Sequence, residues 1–271
     1  MPSRLARLAG LALGAGAVAA LLYAERARPL RRQRREAAPR IARNLTMGAA
    51  CQLAIMAAEQ PLSDRIAARN VAHRRGLAGL FGPGAIGNAA AFLAMDYGFY
   101  LWHIATHKLP FLWRFHRVHH VDPDMDASTA LRFHFLDMFV SLPWRLVQVR
   151  LSGIGPRGLA AWRQFFLLSV LFHHSNWRLP RGLDEALSKL ITTPRMHGIH
   201  HSQRASEMDS NWSSGIALWD HLHGTFRDDV APETIVIGVD DPLAERDTHL
   251  LAAHKAPFAT HAERSGLPGV Q

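Results

Sequence analysis

Three groups of histidines are spaced to do metal chemistry. They are His103-Ile-Ala-Thr-His107, His116-Arg-Val-His119-His120 and His197-Gly-Ile-His200-His201. On a helix, positions i, i+3 and i+4 share one side. The first group therefore offers two imidazoles from one side of a turn, and the others offer three each. Of the 17 histidines, 13 lie between His103 and His223, a concentration that scattered core or surface residues would not give. Two copies of H-x-x-H-H stand against roughly 0.07 expected by chance at this histidine frequency.

Eight imidazoles are too many for one ion and natural for two. Neutral imidazole suits Zn, Cu, Fe and Ni, and a zinc site needs only three or four ligands. The chain has neither the Glu-x-x-His of soluble di-iron bundles nor the His-Glu-x-x-His of metalloproteases. One cysteine, Cys51, excludes an internal disulfide and a Cys-rich zinc site. The pattern points to an all-nitrogen dinuclear centre at a membrane surface. Asp96 precedes His103 by seven residues, two turns along the same side. It is expected to accept the outer N–H of a metal-bound histidine, the alternative being a helix-packing polar residue hydrogen-bonded elsewhere, and Asn211 and Asp220 are candidates for similar roles.

The elements that must position these groups are apolar and flanked by arginine. Leu8 to Tyr23 is almost wholly apolar and is followed by Arg26, Arg28, Arg31, Arg32, Arg34 and Arg35. A secretory signal begins similarly. The dense basic flank favours a retained anchor with its arginines on the cytoplasmic side. Apolar stretches follow at Leu45–Ala58, short for a full span, and at about Ala85–Ala105. Between them Gly76–Gly87 reads as a turn. Phe135–Ile154 and Leu159–Phe172 read as a helical hairpin entering the bilayer. Glu233–Val239 reads as a short strand or extended segment, and Arg246–Gln271 as a loosely ordered polar tail. The net charge of +9 lies beside apolar stretches, as membrane topology requires, which argues against a nucleic-acid partner.

The order H-x3-H, H-x2-H-H, then a distant H-x2-H-H resembles the signature of the fatty acid hydroxylase/sterol desaturase superfamily. Asp96–His107 (DYGFYLWHIATH) is similar to that family's Asp-containing helix. Thr129–Asp137 (TALRFHFLD) resembles its Leu-Arg-x-His-Pro-x-Glu segment, and Phe172–Asn176 (FHHSN) its His-Ser-Asn element. Thr193–His197, Asp209–Trp212 and Trp219–Thr225 (WDHLHGT) resemble its closing segments. The similarity runs over roughly residues 90–240. Phe135, Asp137, Ser213 and His223 depart from the family's usual residues but remove no cluster ligand, and they leave the substrate subclass open.

The resemblance implies an all-α, polytopic membrane helical bundle with a cytoplasmic His-rich helical cap holding a dinuclear metal site. It implies two iron ions, O2 as co-substrate and a lipid substrate, fatty acyl, sterol or isoprenoid, that is hydroxylated or desaturated. No haem-binding or flavin-binding segment is evident, so electrons would come from a separate reductase, ferredoxin or cytochrome. His174 is added as a ligand. His173 and His134 are further candidates whose other reading is support of a ligand from behind or packing, while His221 and His223 are expected not to be ligands. His73, His249, His254 and His261 are expected to be exposed. Expected boundaries are an anchor and basic segment at 1–44, a catalytic membrane domain at 45–240 and a polar tail at 241–271. The competing readings are a non-enzymic membrane metal carrier, whose ligands would string along a path, and a lipid-binding relative without the chemistry.

Overall fold

The computed structural model describes residues 4–241 and 243–259, and helices are the dominant regular structure among them, with no strand longer than an isolated bridge. In chain order these are α1 Arg4–Ala27, α2 Ala37–Ala54, α3 Gln60–Ala72, α4 Gly76–Phe81, α5 Ala85–Lys108, α6 Pro110–His120, α7 Asp137–Val140 and α8 Leu142–Ser152. They continue as α9 Pro156–His174, α10 Arg181–Leu187, α11 Pro194–His200, α12 Ala205–Met208, α13 Leu218–His223, α14 Ala244–Asp247 and α15 Leu250–Lys255. The expected all-helical class is observed.

Helices α3, α5, α8 and α9 pack around Ala67, Ala91, Met95, Val149, Ile154, Leu159 and Trp162. Their boundaries follow from local sequence. Proline stands in the first turn of α6, α8 and α9, where a missing N–H costs nothing. Gly153 ends α8 in the left-handed region at φ 73°, which glycine adopts without strain. Helices α2 and α3 are joined by a π-helical turn, Ile55–Glu59, so the apolar stretch at 45–58 belongs to one longer helical run. The Gly-rich segment at 76–87 is shorter as a turn than its composition suggests. Gly76–Phe81 is helical, and the reversal itself falls at Gly82-Pro83-Gly84, where both glycines have positive φ.

No single helix among the described residues is long and apolar enough to cross a membrane. One pair, Ala37–Phe81 and Ala85–Lys108, meets the length and composition together but is bent by 87°. The end of the bundle where α3 and α8 finish and α5 begins exposes Val71, Leu80, Phe81, Ile86 and Leu151. From there α5 climbs 18 residues to His103, about 27 Å at a helical rise.

The opposite end is a cap tied by buried polar contacts. Glu25, near the end of α1, accepts from the Ala127 and Asn176 N–H groups at 3.0 and 3.1 Å. Arg40 pairs with Asp126 at 2.5 Å, and Arg43 with Asp122 at 2.8 Å. Part of the basic segment is thus internal structure. Two expectations need correcting. Glu233–Val239 forms no strand. It runs extended and makes one isolated bridge, Ser202 to Ile237, because no partner segment runs beside it for longer. Residues 244–258 are no loose tail. Asp247 accepts from Arg117 at 2.7 Å, and Ala253 and Ala256 pack on Met47 and Val118. His261 lies outside the described residues.

Candidate metal centre

The cap gathers the histidines from four helices. His103 and His107 come from the end of α5, His116, His119 and His120 from α6, His174 from the last residue of α9, and His197 and His200 from α11, with His201 just beyond it. Local sequence explains the delivery of the third group. Thr193 caps α11 by accepting from the Met196 N–H, and Pro194 occupies its first turn.

The ring nitrogens converge in two sets. His103, His107, His116, His120 and His200 form one, and His119, His174, His197 and His201 form the other. Within each set the candidate ligand atoms lie within 4.8 Å of one another. Each H-x-x-H-H motif is divided. On α6 the i, i+4 pair His116 and His120 serves the first set and His119 the second. On α11 and its cap the pair His197 and His201 serves the second set and His200 the first. The sets abut, with the His120 and His201 rings stacked at 4.1 Å.

The tautomers show that these sets suit cations. A carbonyl oxygen only accepts, so a ring nitrogen bonded to one must carry the proton. His103 Nδ1 donates to the Trp212 carbonyl at 2.7 Å and His200 Nδ1 to Ser210 at 3.0 Å. His174 Nδ1 donates to Val170 at 2.7 Å and His119 Nδ1 to Arg132 at 3.3 Å. Each neutral ring then turns a bare Nε2 lone pair inward. His119 Nε2 and His174 Nε2 face each other at 2.9 Å, and His197 Nε2 lies 3.0 Å from His174 Nε2 and 3.1 Å from His201 Nε2. Two lone pairs at such a distance repel unless a cation lies between them. An ion about 2.0–2.1 Å from each nitrogen would space neighbouring ligands about 2.9–3.4 Å apart. In the first set, His116 Nε2, His200 Nε2 and both nitrogens of His107 and His120 are buried with no hydrogen-bond partner. Such groups are costly to bury unless something else binds them.

Burial, followed by neighbouring imidazoles, pushes His116, His119, His120, His197 and His201 well below the ordinary histidine range; burial and His103 do the same for His200. They are neutral at pH 7, the form that binds metal.

The acidic residues near the site act differently from the sequence expectation. Asp96 does not bond to His103, whose outer nitrogen is taken by the Trp212 carbonyl. The Asp96 carboxylate instead accepts from Trp219 Nε1 at 2.7 Å and the Ile216 N–H at 3.1 Å. The α5 side chain is level with the 212–220 segment, which reaches it first. Asp220 accepts from the Trp212 and Ser213 N–H groups at 2.8 and 2.9 Å and from Thr225 at 2.7 Å. Both acids therefore hold the segment whose carbonyl orients His103. Asn211, at φ 52°, donates to the Met196 and Arg227 carbonyls at 3.0 and 2.8 Å and accepts from the Arg227 N–H at 2.8 Å. It ties the same segment to α11.

Other histidines fall outside both sets. His173 is buried with its ring 4.0 Å from that of His197. His134 donates to the His254 carbonyl at 3.1 Å and accepts from the Leu136 N–H at 3.1 Å, a packing role. His254 is half-buried, not exposed, and stacks on Phe135. His221 bonds to the Ser188 carbonyl and His223 to the Tyr97 hydroxyl. His73 and His249 are exposed. Sequence reasoning missed Phe133, stacked on His119 at 4.3 Å, and Trp212, packed on His103, His107 and His200. It also missed the four backbone carbonyls, which no residue type marks.

The fold and site define a helical protein built around two adjoining all-imidazole sets that could each hold a metal ion. The chain belongs to the fatty acid hydroxylase family, whose model matches residues 88–225, just over half of its length. It is 30% identical to human alkylglycerol monooxygenase over 154 residues, 57% of this chain and 33% of that protein. It is 29% identical to ornithine lipid hydroxylase OlsE of Rhizobium tropici over 165 residues, 60% and 48% of the two chains. It is 26% identical to human cholesterol 25-hydroxylase over 137 residues, 50% and 49% of the two chains. The chain thus spans between a third and a half of these curated relatives. No solved structure matches it.

Proposed function

We propose that this protein is a membrane-bound lipid hydroxylase that uses O2 and external electrons at two iron ions. The observation that carries this reading is the pair of abutting imidazole sets with inward lone pairs. The named activities of the relatives, hydroxylation or monooxygenation of alkylglycerol, ornithine lipid and cholesterol, support a lipid substrate. The exposed Val71, Leu80, Phe81, Ile86 and Leu151, flanked by the exposed Arg74, Arg75, Arg150 and Arg157, support contact of this end of the bundle with a lipid boundary, and in this reading the cap lies on the cytoplasmic side. Residues 45–240 would carry the catalytic domain.

In this reading His103, His107, His116, His120 and His200 hold one ion, and His119, His174, His197 and His201 the other. The ions would supply O2 activation and the oxidation of an unactivated C–H bond. The chain's part is positional. Backbone carbonyls fix four ring tautomers, Asp96, Asp220 and Asn211 hold the segment bearing Trp212, and Trp212 and Phe133 wall the imidazoles from water. A separate reductase, ferredoxin or cytochrome would deliver electrons. Desaturation is the other outcome of the same oxidation. The abutting sets disfavour a metal carrier, whose ligands would be strung along a path.

The test is metal content and lipid product in membranes of cells making the wild type, His119→Ala or His200→Ala. A lipid gaining one oxygen, dependent on O2 and reductant and lost in both variants, is expected. Undiminished product from either variant would overturn the ligand assignment.

A further inference from the structure

The segment that follows α1 is fixed to the end of α9. The Leu30 N–H donates to the Asn176 carbonyl and the Arg178 N–H to the Arg28 carbonyl, both at 2.7 Å, with Pro29 and Trp177 in an antiparallel bridge between them. Side chains repeat the tie. Asn176 Oδ1 accepts from the Arg31 N–H and Asn176 Nδ2 donates to the Arg31 carbonyl, both at 2.9 Å. Arg178 donates to the Leu30 carbonyl at 2.9 Å, and Glu25 accepts from the Asn176 N–H at 3.1 Å. Asn176 stands two residues after the candidate ligand His174.

From this clasp the Arg31 side chain reaches a second ligand-bearing element. Its guanidinium lies against Gly198 of α11, where a Cβ would overlap it. Gly198 follows His197 and precedes His200 by two residues, so the contact falls between a histidine of each set. The Arg31 Nε, Nη1 and Nη2 are closed to solvent and have no hydrogen-bond partner. Burial draws the pKa down only to about 10, so the group is charged at neutral pH. Gly198 belongs to the last turn of α11, where the partial negative charge of a helix favours a cation. The guanidinium occupies the space that a side chain at 198 would need, and it backs the stretch of helix from His197 to His200. All nine histidines of the two sets lie within the region matched by the family model, residues 88–225, whereas the clasp at 25–31 lies before it.

We propose that Arg31 is a positioning residue of the metal centre, seating α11 so that His197 and His200 meet their separate sets. The inference rests on the reading of those sets as metal sites, and not on the lipid or the reaction.

The full chain in detergent micelles would be loaded with cobalt(II), whose visible absorption bands report ligand geometry, and then challenged with a chelator. Arg31→Ala is expected to shift the bands and to lose metal about tenfold faster than wild type, the lower end of the range for residues that hold ligands from behind. Arg31→Lys keeps the stem and the charge and is expected to recover most of that loss, because the guanidinium makes no hydrogen bonds for the variant to forfeit. Gly198→Ala is expected to lose metal faster as well. Combining it with Arg31→Ala removes the overlap, so the double variant should hold metal better than Gly198→Ala alone. Ala67→Gly, in the bundle core away from the ligands, should lower the melting temperature and leave the bands and the rate of metal loss unchanged. Arg31→Ala with wild-type bands and wild-type metal loss overturns this inference alone, as do effects in the double variant that simply multiply. A wild type that binds no cobalt overturns it together with the metal reading. Should Arg31→Ala not fold, wild-type metal loss in Gly198→Ala overturns it.

Discussion

Asp220→Asn isolates the support of the site from its ligands. The Asp220 carboxylate is fully buried and accepts three hydrogen bonds, from the Trp212 and Ser213 N–H groups and the Thr225 hydroxyl. Asparagine has the same shape, but one oxygen becomes an NH2. If the remaining oxygen keeps Trp212 and Thr225, the Ser213 N–H faces a donor. A hydrogen bond to a charged group contributes about 1.5–3 kcal/mol, and an orphaned buried N–H costs about 1–3. The expected destabilisation is therefore about 2–4 kcal/mol, and at about 2–4 °C per kcal/mol the melting temperature falls roughly 4–16 °C. The Trp212 carbonyl that fixes His103 loses its anchor, and loss of an outer partner weakens metal binding about 10–100-fold. Asp220 acts one residue contact further out, so about tenfold is expected. Metal retention against increasing chelator would be measured in a His174→Ala background, which leaves the five-histidine set as the metal site. Wild-type melting together with unchanged chelator resistance would refute the role given to Asp220.

Further outcomes follow from the same geometry. His116→Ala and His174→Ala should each cost one of two bound ions by mass spectrometry, and the double variant both; loss of both ions in each single variant would argue against separate sets. In metal-free protein, the depressed histidines bind fewer protons folded than unfolded, since their folded values lie well below 6.5. Stability should be flat above about pH 6.5 and fall as pH drops through that value, whereas a melting temperature that rises on acidification would contradict the burial of neutral rings. Gly153→Ala must adopt φ 73° and overlap the Arg75 carbonyl. At least about 1–2 kcal/mol of destabilisation is expected from the backbone alone, read as a lowered melting temperature.

Much of the site was legible because its residues are rare and their spacing is helical. Histidines at i, i+3 and i+4 on short helices converge whatever the surrounding detail. The division of each motif between two sets was not legible, since it depends on how α6 and α11 face one another. The partner of Asp96 was not legible for a related reason. Seven residues place it on the His103 side of α5, but its partner is decided by the 212–220 segment, more than a hundred positions away. Arg246–Phe258 looked like a tail because its polar residues mask their partners; Asp247 meets Arg117 only once α6 is in place. Several helix ends carry local signals, with Pro110 and Pro156 in first turns and Gly153 at an end.

The most direct measurement is anomalous scattering at the iron absorption edge from crystals of the metal-loaded protein. Two maxima are expected, one amid the nitrogens of His103, His107, His116, His120 and His200 and the other amid those of His119, His174, His197 and His201. A single maximum, or metal bound away from these rings, would contradict the paired site.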